Sequence, residues 1–267
     1  MTTPDVPLRM SLTFELPGTP EQIWDAIATA NGISSWFLPT DVEEREGGAV
    51  CFHMGDTESR GHVSGWEPPR RFEVVEPDWA PLAGHEAASV TPLVTEFLVE
   101  AHSGGTCVIH VVSSAFGTGA DWEQEFFDEM ERGWVPFFDN LRLYLTHFPG
   151  QTVTQFSIVV AVPGEQAAVW GAVRDLLGAD QLGRPVAIPG LTGTVERIGQ
   201  LPGPEEVLVR VSEPVPGFLG LWAYETNDVS TNVYVAGWFF SDDAASFVER
   251  ERAAWEERLG SLAVRAA

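Results

Sequence analysis

The chain contains no lysine. Its basic residues are all arginine, and Lys+Arg total 15 against 39 Asp+Glu, so the formal net charge is −24 and the pI about 4.4. A surface this acidic repels phosphate backbones and anionic lipid, so neither nucleic acid nor a membrane is an expected partner. Long apolar runs are missing too, which excludes a bilayer-spanning helix. The opening residues, MTTPDVPLRM, lack the charged start and apolar stretch of a signal peptide, so a cytoplasmic location is expected. Cysteine is scarce: Cys51 and Cys107 lie in alternating apolar segments and read as small core residues rather than a disulfide.

Cofactor and nucleophile motifs are absent as well. Neither GxGxxG nor a Walker pattern occurs, and there is no HExxH or GxSxG. No cofactor is therefore expected. Histidine is missing from the second part of the chain: His53, His62, His85, His102, His110 and His147 all lie in the first. Acid–base chemistry, if there is any, belongs to that first part.

What is present begins with a repeat. Residues 16–27 read LPGTPEQIWDAI and residues 162–173 read VPGEQAAVWGAV, so Pro17, Gly18 and Trp24 recur as Pro163, Gly164 and Trp170 without a gap. The 267 residues, 44% hydrophobic with ten Trp, are enough for two cores. Domains over 1–148 and 149–267 are expected, joined at Phe148-Pro149-Gly150-Gln151.

In the first part, Arg9–Leu16 alternates as a strand. Thr19-Pro20-Glu21-Gln22 is a capping box that opens a helix running to about Ala30. Asn31-Gly32 reads as a break before a second short helix, Ile33–Leu38. Strands are predicted at Thr40–Glu46, Ala49–Met54, Arg60–Trp66, Arg71–Glu76, Thr91–Ala101 and Thr106–Ser114, with Asp78–Ser89 as a looser segment. A long helix, Asp121–Phe148, follows with an expected Asp121–Gln124 capping box; Phe126, Met130, Trp134, Phe137, Leu141 and Leu145 share one face.

The second part keeps the order but shortens the middle. A strand (Val153–Val162) and a helix (Glu165–Leu177) precede strands at Thr194–Ile198, Glu206–Ser212, Phe218–Tyr224 and Asn232–Phe240, then a helix at Asp242–Val264. Aligning the two final helices places Phe126 on Phe247 and Trp134 on Trp255.

This order, with Pro20–Ile27, Ser35-Trp36-Phe37, Gly61-His62-Val63, Glu67–Phe72, Gly105-Thr106, Gly133-Trp134 and Tyr144-Leu145 in succession, resembles the START/SRPBCC superfamily. Within it, the first part resembles the activator of heat-shock-protein-90 ATPase homologue family, and residues 149–267 resemble a degenerate copy of the first part. The resemblance implies an α+β helix-grip fold present twice, each a curved antiparallel sheet wrapped around a long C-terminal helix. It also implies a cavity between sheet and helix in the first domain. It does not single out an activity, because the superfamily includes carriers, cyclases and hydrolases of polyketide-like compounds, and co-chaperones.

Three functions are compatible with these residues. The first is non-catalytic binding of a small hydrophobic or aromatic molecule. Trp36, Phe37, Phe52, Trp66, Phe97, Phe126, Phe127, Met130 and Trp134 would line the cavity, although each could equally be core packing. The second is co-chaperone action with a chaperone or a second copy of the chain as partner, for which a lysine-free acidic surface offers few basic contacts. The third is cofactor-independent cyclisation or hydrolysis. Its candidate acid–base residues are His53, His62 and Glu96, and Glu96 shares with Glu100 a strand face that also reads as ordinary solvated sheet. A metal site built from His53, His110, Cys51 and Cys107 has no supporting ligand spacing, and none is expected.

Overall fold

The computed structural model describes residues 5–55, 57–86, 90–188, 190–199, 205–227 and 230–262. The chain forms two compact units, Met1–Gly150 and Gln151–Ala267. No helix among the described residues is long and apolar enough to cross a membrane.

In the first unit, β1 (Val6–Pro17) leads into α1 (Pro20–Ala28) and α2 (Ala30–Ser34). A meander follows: β2 (Thr40–Val42), β3 (Ala49–Met54), β4 (Thr57–Glu67), β5 (Arg71–Glu76), β6 (Leu93–His102) and β7 (Thr106–Gly117). The 27-residue α3 (Asp121–His147) closes the unit. The sheet order is β1-β7-β6-β5-β4-β3-β2, antiparallel throughout. On β6, Leu93, Thr95, Phe97 and Val99 are buried and the residues between them are not, the period of two that a one-sided sheet requires.

The Thr19–Gln22 capping box forms as expected: Gln22 Oε1 accepts from Thr19 N at 2.9 Å and Thr19 Oγ1 from Gln22 N at 3.4 Å. The next helix differs from expectation. It spans Ala30–Ser34, with Gly32 N bonded to Thr29 Oγ1 at 3.0 Å, so Asn31-Gly32 lies inside it. Gly32 is there for close approach: a Cβ would sit 1.8 Å from the Asp25 carbonyl oxygen. Gly32→Ala should therefore push α1 and α2 apart and cost about 2 kcal/mol, the usual price of overpacking, read from the denaturant midpoint.

The α3 cap also differs. Gln124 bonds Asp128 (2.7 Å), and the side chain that caps the helix is Glu123, which accepts from the Thr118, Gly119 and Ala120 backbone and from Thr118 Oγ1. The segment expected to be loose holds a short 3-10 turn, Ala80–Ala83, beside the fully buried Trp79, whose indole N–H bonds the Thr91 carbonyl at 2.8 Å. Residues 87–89 of that segment lie outside the described residues.

In the second unit, β8 (Thr154–Pro163) and α4 (Gln166–Leu177) precede β9 (Pro185–Ile188), β10 (Leu191–Ile198), β11 (Glu205–Glu213), β12 (Gly217–Asn227), β13 (Ser230–Phe239) and α5 (Ala244–Gly260). The six strands run β8-β13-β12-β11-β10-β9. The four-residue β9 is not visible in the sequence pattern, and Val264, the expected end of the last helix, lies outside the described residues. Trp170, Phe239, Phe247 and Trp255 form its buried core with a shell of valines and leucines.

Both units have the helix-grip arrangement. Their shared turn has one construction: Gly18 and Gly164 take positive φ (121° and 131°), where a side chain would be strained. Each glycine carbonyl then accepts from the second residue of its last strand, Cys107 Sγ at 3.4 Å on β7 and Thr231 Oγ1 at 2.9 Å on β13. What the second unit loses, α2 and β2, it loses together. A helix that reverses the chain and one antiparallel strand cancel in direction, so the remaining meander still reaches β13 antiparallel to β8.

Candidate functional site

The inner face of the first sheet and one face of α3 enclose a cavity of about 230 Å³. Alternation supplies its strand wall: Phe52 and Met54 from β3, Ser59 from β4, Phe72, Val74 and Glu76 from β5, and Leu93, Thr95 and Phe97 from β6. The helix wall is Phe126, Met130, Gly133, Trp134 and Phe137, the i, i+4, i+7, i+8 and i+11 positions that share one helical face. Trp36 and Phe37, just after α2, close one side.

These aromatics are held by one another. Phe37 stacks on Trp134 at 5.2 Å and 13°, and Phe97 meets Trp134 edge-on at 5.8 Å. Trp36 donates its indole N–H to the Ala26 carbonyl at 2.9 Å, while its own carbonyl accepts from Asn140 Nδ2 at 3.3 Å. Trp134 and its repeat counterpart Trp255 both bury an indole nitrogen without a hydrogen-bond partner among the described residues, so that feature belongs to the shared scaffold.

Seven of the nine aromatic and methionine positions expected at the cavity lie on it: Trp36, Phe37, Phe52, Phe97, Phe126, Met130 and Trp134. The other two do not. The β4–β5 register shifts between Val63 and Gly65, which sets Trp66 opposite the inward Phe72, and it packs beside the cavity rather than on it, edge-on to Trp24 at 4.9 Å and to Phe72 at 5.9 Å. Phe127 is turned one residue around α3 from Phe126 and packs against Trp79 at 5.8 Å.

The expected acid–base residues are on the other sheet face. His53 alternates with Phe52 and Met54, and its Nε2 lies 2.9 Å from Asp41, which raises its pKa against the opposing effect of burial. His62 lies between Gly61 and the inward Val63. Glu96 alternates with Thr95 and Phe97 and accepts from Arg71 Nε at 2.5 Å, beside an Arg71–Glu73 pair at 2.6 Å. None of the three lines the cavity, so catalysis there loses the residues proposed for it.

The four-residue metal set does not assemble either. β3 and β7 are four strands apart in the sheet, roughly 19 Å at the usual spacing, which separates His53 and Cys51 from His110 and Cys107. Cys51, His53 and Glu58 do converge, with potential ligand atoms within 4.8 Å of one another on the outer face. Two features oppose metal binding at that cluster. Burial and the neighbouring Glu58 push the Cys51 thiol pKa up, and the Glu58 carboxylate is already bonded by Arg60.

The residue that sequence reasoning missed is Glu76. It is half-buried, and its side chain shares the cavity wall with Phe72 and Val74. Burial raises its pKa, opposed by the hydrogen bond it accepts from Ser59 Oγ. Thr95, the other polar side chain of the strand wall, is bonded to Ser113 Oγ at 2.9 Å.

Residues 17–146 match the family described as activator of Hsp90 ATPase homolog 1-like protein. The match spans most of the first domain and none of the second. No curated protein matches the chain in sequence. Among solved structures similar to the chain is the di-domain ARO/CYC BexL from the BE-7585A biosynthetic pathway. It has 12% identity and a TM-score of 0.45 over 90% of this chain and 88% of its own. DynU16, from the dynemicin biosynthetic locus, aligns at 14% identity and a TM-score of 0.40 over 88% of this chain and 87% of its own. CalU16 from Micromonospora echinospora aligns at 17% identity and a TM-score of 0.40 with 52% of this chain and 76% of its own. The cavity lies wholly within the Hsp90 ATPase activator-like domain, and all of its lining residues fall inside the matched span.

Proposed function

We propose that the first domain binds a small hydrophobic, ring-bearing molecule between its sheet and α3, without converting it. The observation that carries this reading is the aromatic-walled cavity of about 230 Å³. An apolar cavity of about 150 Å³ is enough to stay dry and take up benzene, so the space suits a two-ring ligand. No histidine or cysteine is among its lining residues, and Glu76 is the single ionisable side chain on its wall among the described residues.

Trp36 and Trp134 stand in the wall, so tryptophan fluorescence reports directly on occupancy. Titration with naphthalene and larger aromatic hydrocarbons should give saturable quenching or a spectral shift, with dissociation constants in the micromolar range. A flat signal across the panel, with no calorimetric heat, would remove the reading.

The family match favours a second reading, in which the domain activates the Hsp90 ATPase. It is checked by ATPase assay with the purified chaperone, where neither stimulation nor a complex is the outcome expected from this lysine-free surface.

A further inference from the structure

We propose that Glu76 and Ser59 make one polar end of the cavity, selecting neutral aromatic ligands that carry a carbonyl or phenolic oxygen. This rests on the binding function proposed above and adds the chemical class of ligand.

The β5 sequence Arg71–Glu76 reads RFEVVE, and Phe72, Val74 and Glu76 are its inward positions. A carboxyl group stands where the pattern calls for an apolar residue, and burying one there is costly unless it has a partner. The glutamates on the opposite face have cations or hydroxyls to hold them: Glu73 is bonded by Arg71 and by Ser64 (2.7 Å), and Glu96 by Arg71. Glu76 has no arginine. Among the described residues its side-chain partner is the Ser59 hydroxyl, itself buried, which donates to Oε1.

A carboxyl on an apolar wall without a counter-charge is shifted toward its neutral form; at Glu76 burial pushes the pKa up and the Ser59 hydrogen bond opposes it. A neutral carboxyl has one O–H to donate. Ser59 occupies Oε1, and in the neutral form the second carboxyl oxygen can carry the O–H on a wall that is otherwise mostly ring and aliphatic carbon. A ligand oxygen, carbonyl or phenol, supplies the acceptor. A hydrocarbon of the same shape leaves the O–H unmade, and a carboxylate brings a charge into a dry apolar space. An ammonium would need Glu76 ionised before it bound.

The test is calorimetric titration of the full chain at pH 7 with naphthalene, 2-naphthol, 2-naphthoate and 2-naphthylmethylamine, four probes of nearly one shape. The expected order puts 2-naphthol about tenfold tighter than naphthalene, the worth of one good hydrogen bond, with both charged probes weaker than naphthalene. Glu76→Leu should erase the naphthol advantage and keep naphthalene binding, while Glu76→Gln, which still donates an N–H, should keep part of it. Melting curves check that both variants fold, and the wild-type ranking needs no variant.

Equal affinity of naphthalene and 2-naphthol overturns the selection by Glu76 and leaves the apolar binding site standing. So does a naphthol preference that survives Glu76→Leu, or an amine that binds best of the four. Failure of all four probes removes the binding site itself.

Discussion

Gly133→Leu should make the first domain more stable and nearly abolish ligand uptake. Gly133 lies inside α3, where glycine costs about 1 kcal/mol relative to a good helix former. Nothing lies within 4 Å of the place its Cβ would occupy, and the residue lines the cavity. A leucine there relieves the helix and places its side chain in the apolar cavity. The combined gain is about 2 kcal/mol, or a melting temperature higher by about 5 °C. The same carbon atoms occupy the volume a ring would need, so affinity for naphthalene should fall by about a hundredfold, a loss of ~3 kcal/mol. Gly133→Ala separates the two effects: it should keep about 1 kcal/mol of stability and lose much less binding. A Gly133→Leu protein that binds as tightly as the wild type would show that the ligand is elsewhere. One that melts earlier would show that the space is already filled.

A glycine kept at that position is legible in the sequence only after the helix face is known, and much of the site shares this character. The alternation in TEFLVE predicts carboxylates on one face and Thr95 and Phe97 on the other, as the structure has them. The helical spacing of Phe126, Met130 and Trp134 locates the opposite wall. The differences arise where a regular period is broken. The irregularity between Val63 and Gly65 is invisible to a period-two pattern, and it decides where Trp66 goes. For Phe127, a widened helical face cannot tell which of two adjacent rings meets the cavity. Asn31-Gly32 reads as a stop by local propensity, yet tertiary closeness to Asp25 is why the glycine is there. Glu76 is legible by alternation alone: RFEVVE sets an acidic residue in register with Phe72 and Val74.

The internal repeat is legible as architecture, and its losses have a location in the fold. The α2–β2 segment absent from the second unit is the one that supplies Ile33, Trp36, Phe37 and Leu38 to the first cavity. The second unit retains the glycine turn, the tryptophan anchors and the long helix, and it fills its interior with Trp170, Phe239, Phe247 and Trp255. A scaffold copied without the strand and helix that frame a pocket keeps the packing and loses the wall.

Removing the Glu123 side chain should destabilise the first unit strongly. Glu123 is fully buried, and each carboxylate oxygen accepts two hydrogen bonds: Oε1 from Thr118 N (3.0 Å) and Oγ1 (2.9 Å), Oε2 from Gly119 N (2.9 Å) and Ala120 N (3.2 Å). It sits in the first turn of α3, where the helix dipole favours a negative charge. Glu123→Ala strands three backbone donors and a hydroxyl at the β7–α3 junction and should cost about 4 kcal/mol. Glu123→Gln keeps an acceptor but adds a donor among donors, and should cost about 2 kcal/mol. Burial pushes this carboxyl pKa up, the four bonds push it down, and the bonds win. A depressed native pKa contributes stability that is full above the unfolded value of 4.5 and is lost as the pH falls through the native value. The deficit of Glu123→Gln against wild type should therefore shrink in acid. Glu76 has the opposite sign: its raised pKa makes the wild type lose stability as the pH climbs above 4.5, by about 1.4 kcal/mol for each unit of elevation. Glu76→Gln should thus gain on the wild type toward neutral pH while Glu123→Gln falls behind it. Parallel chemical denaturation of the three proteins from about pH 2 to pH 8 reads both trends, Glu123 below 4.5 and Glu76 above it, and a Glu123→Gln deficit that widens in acid would mean its carboxylate is not held ionised by those four bonds.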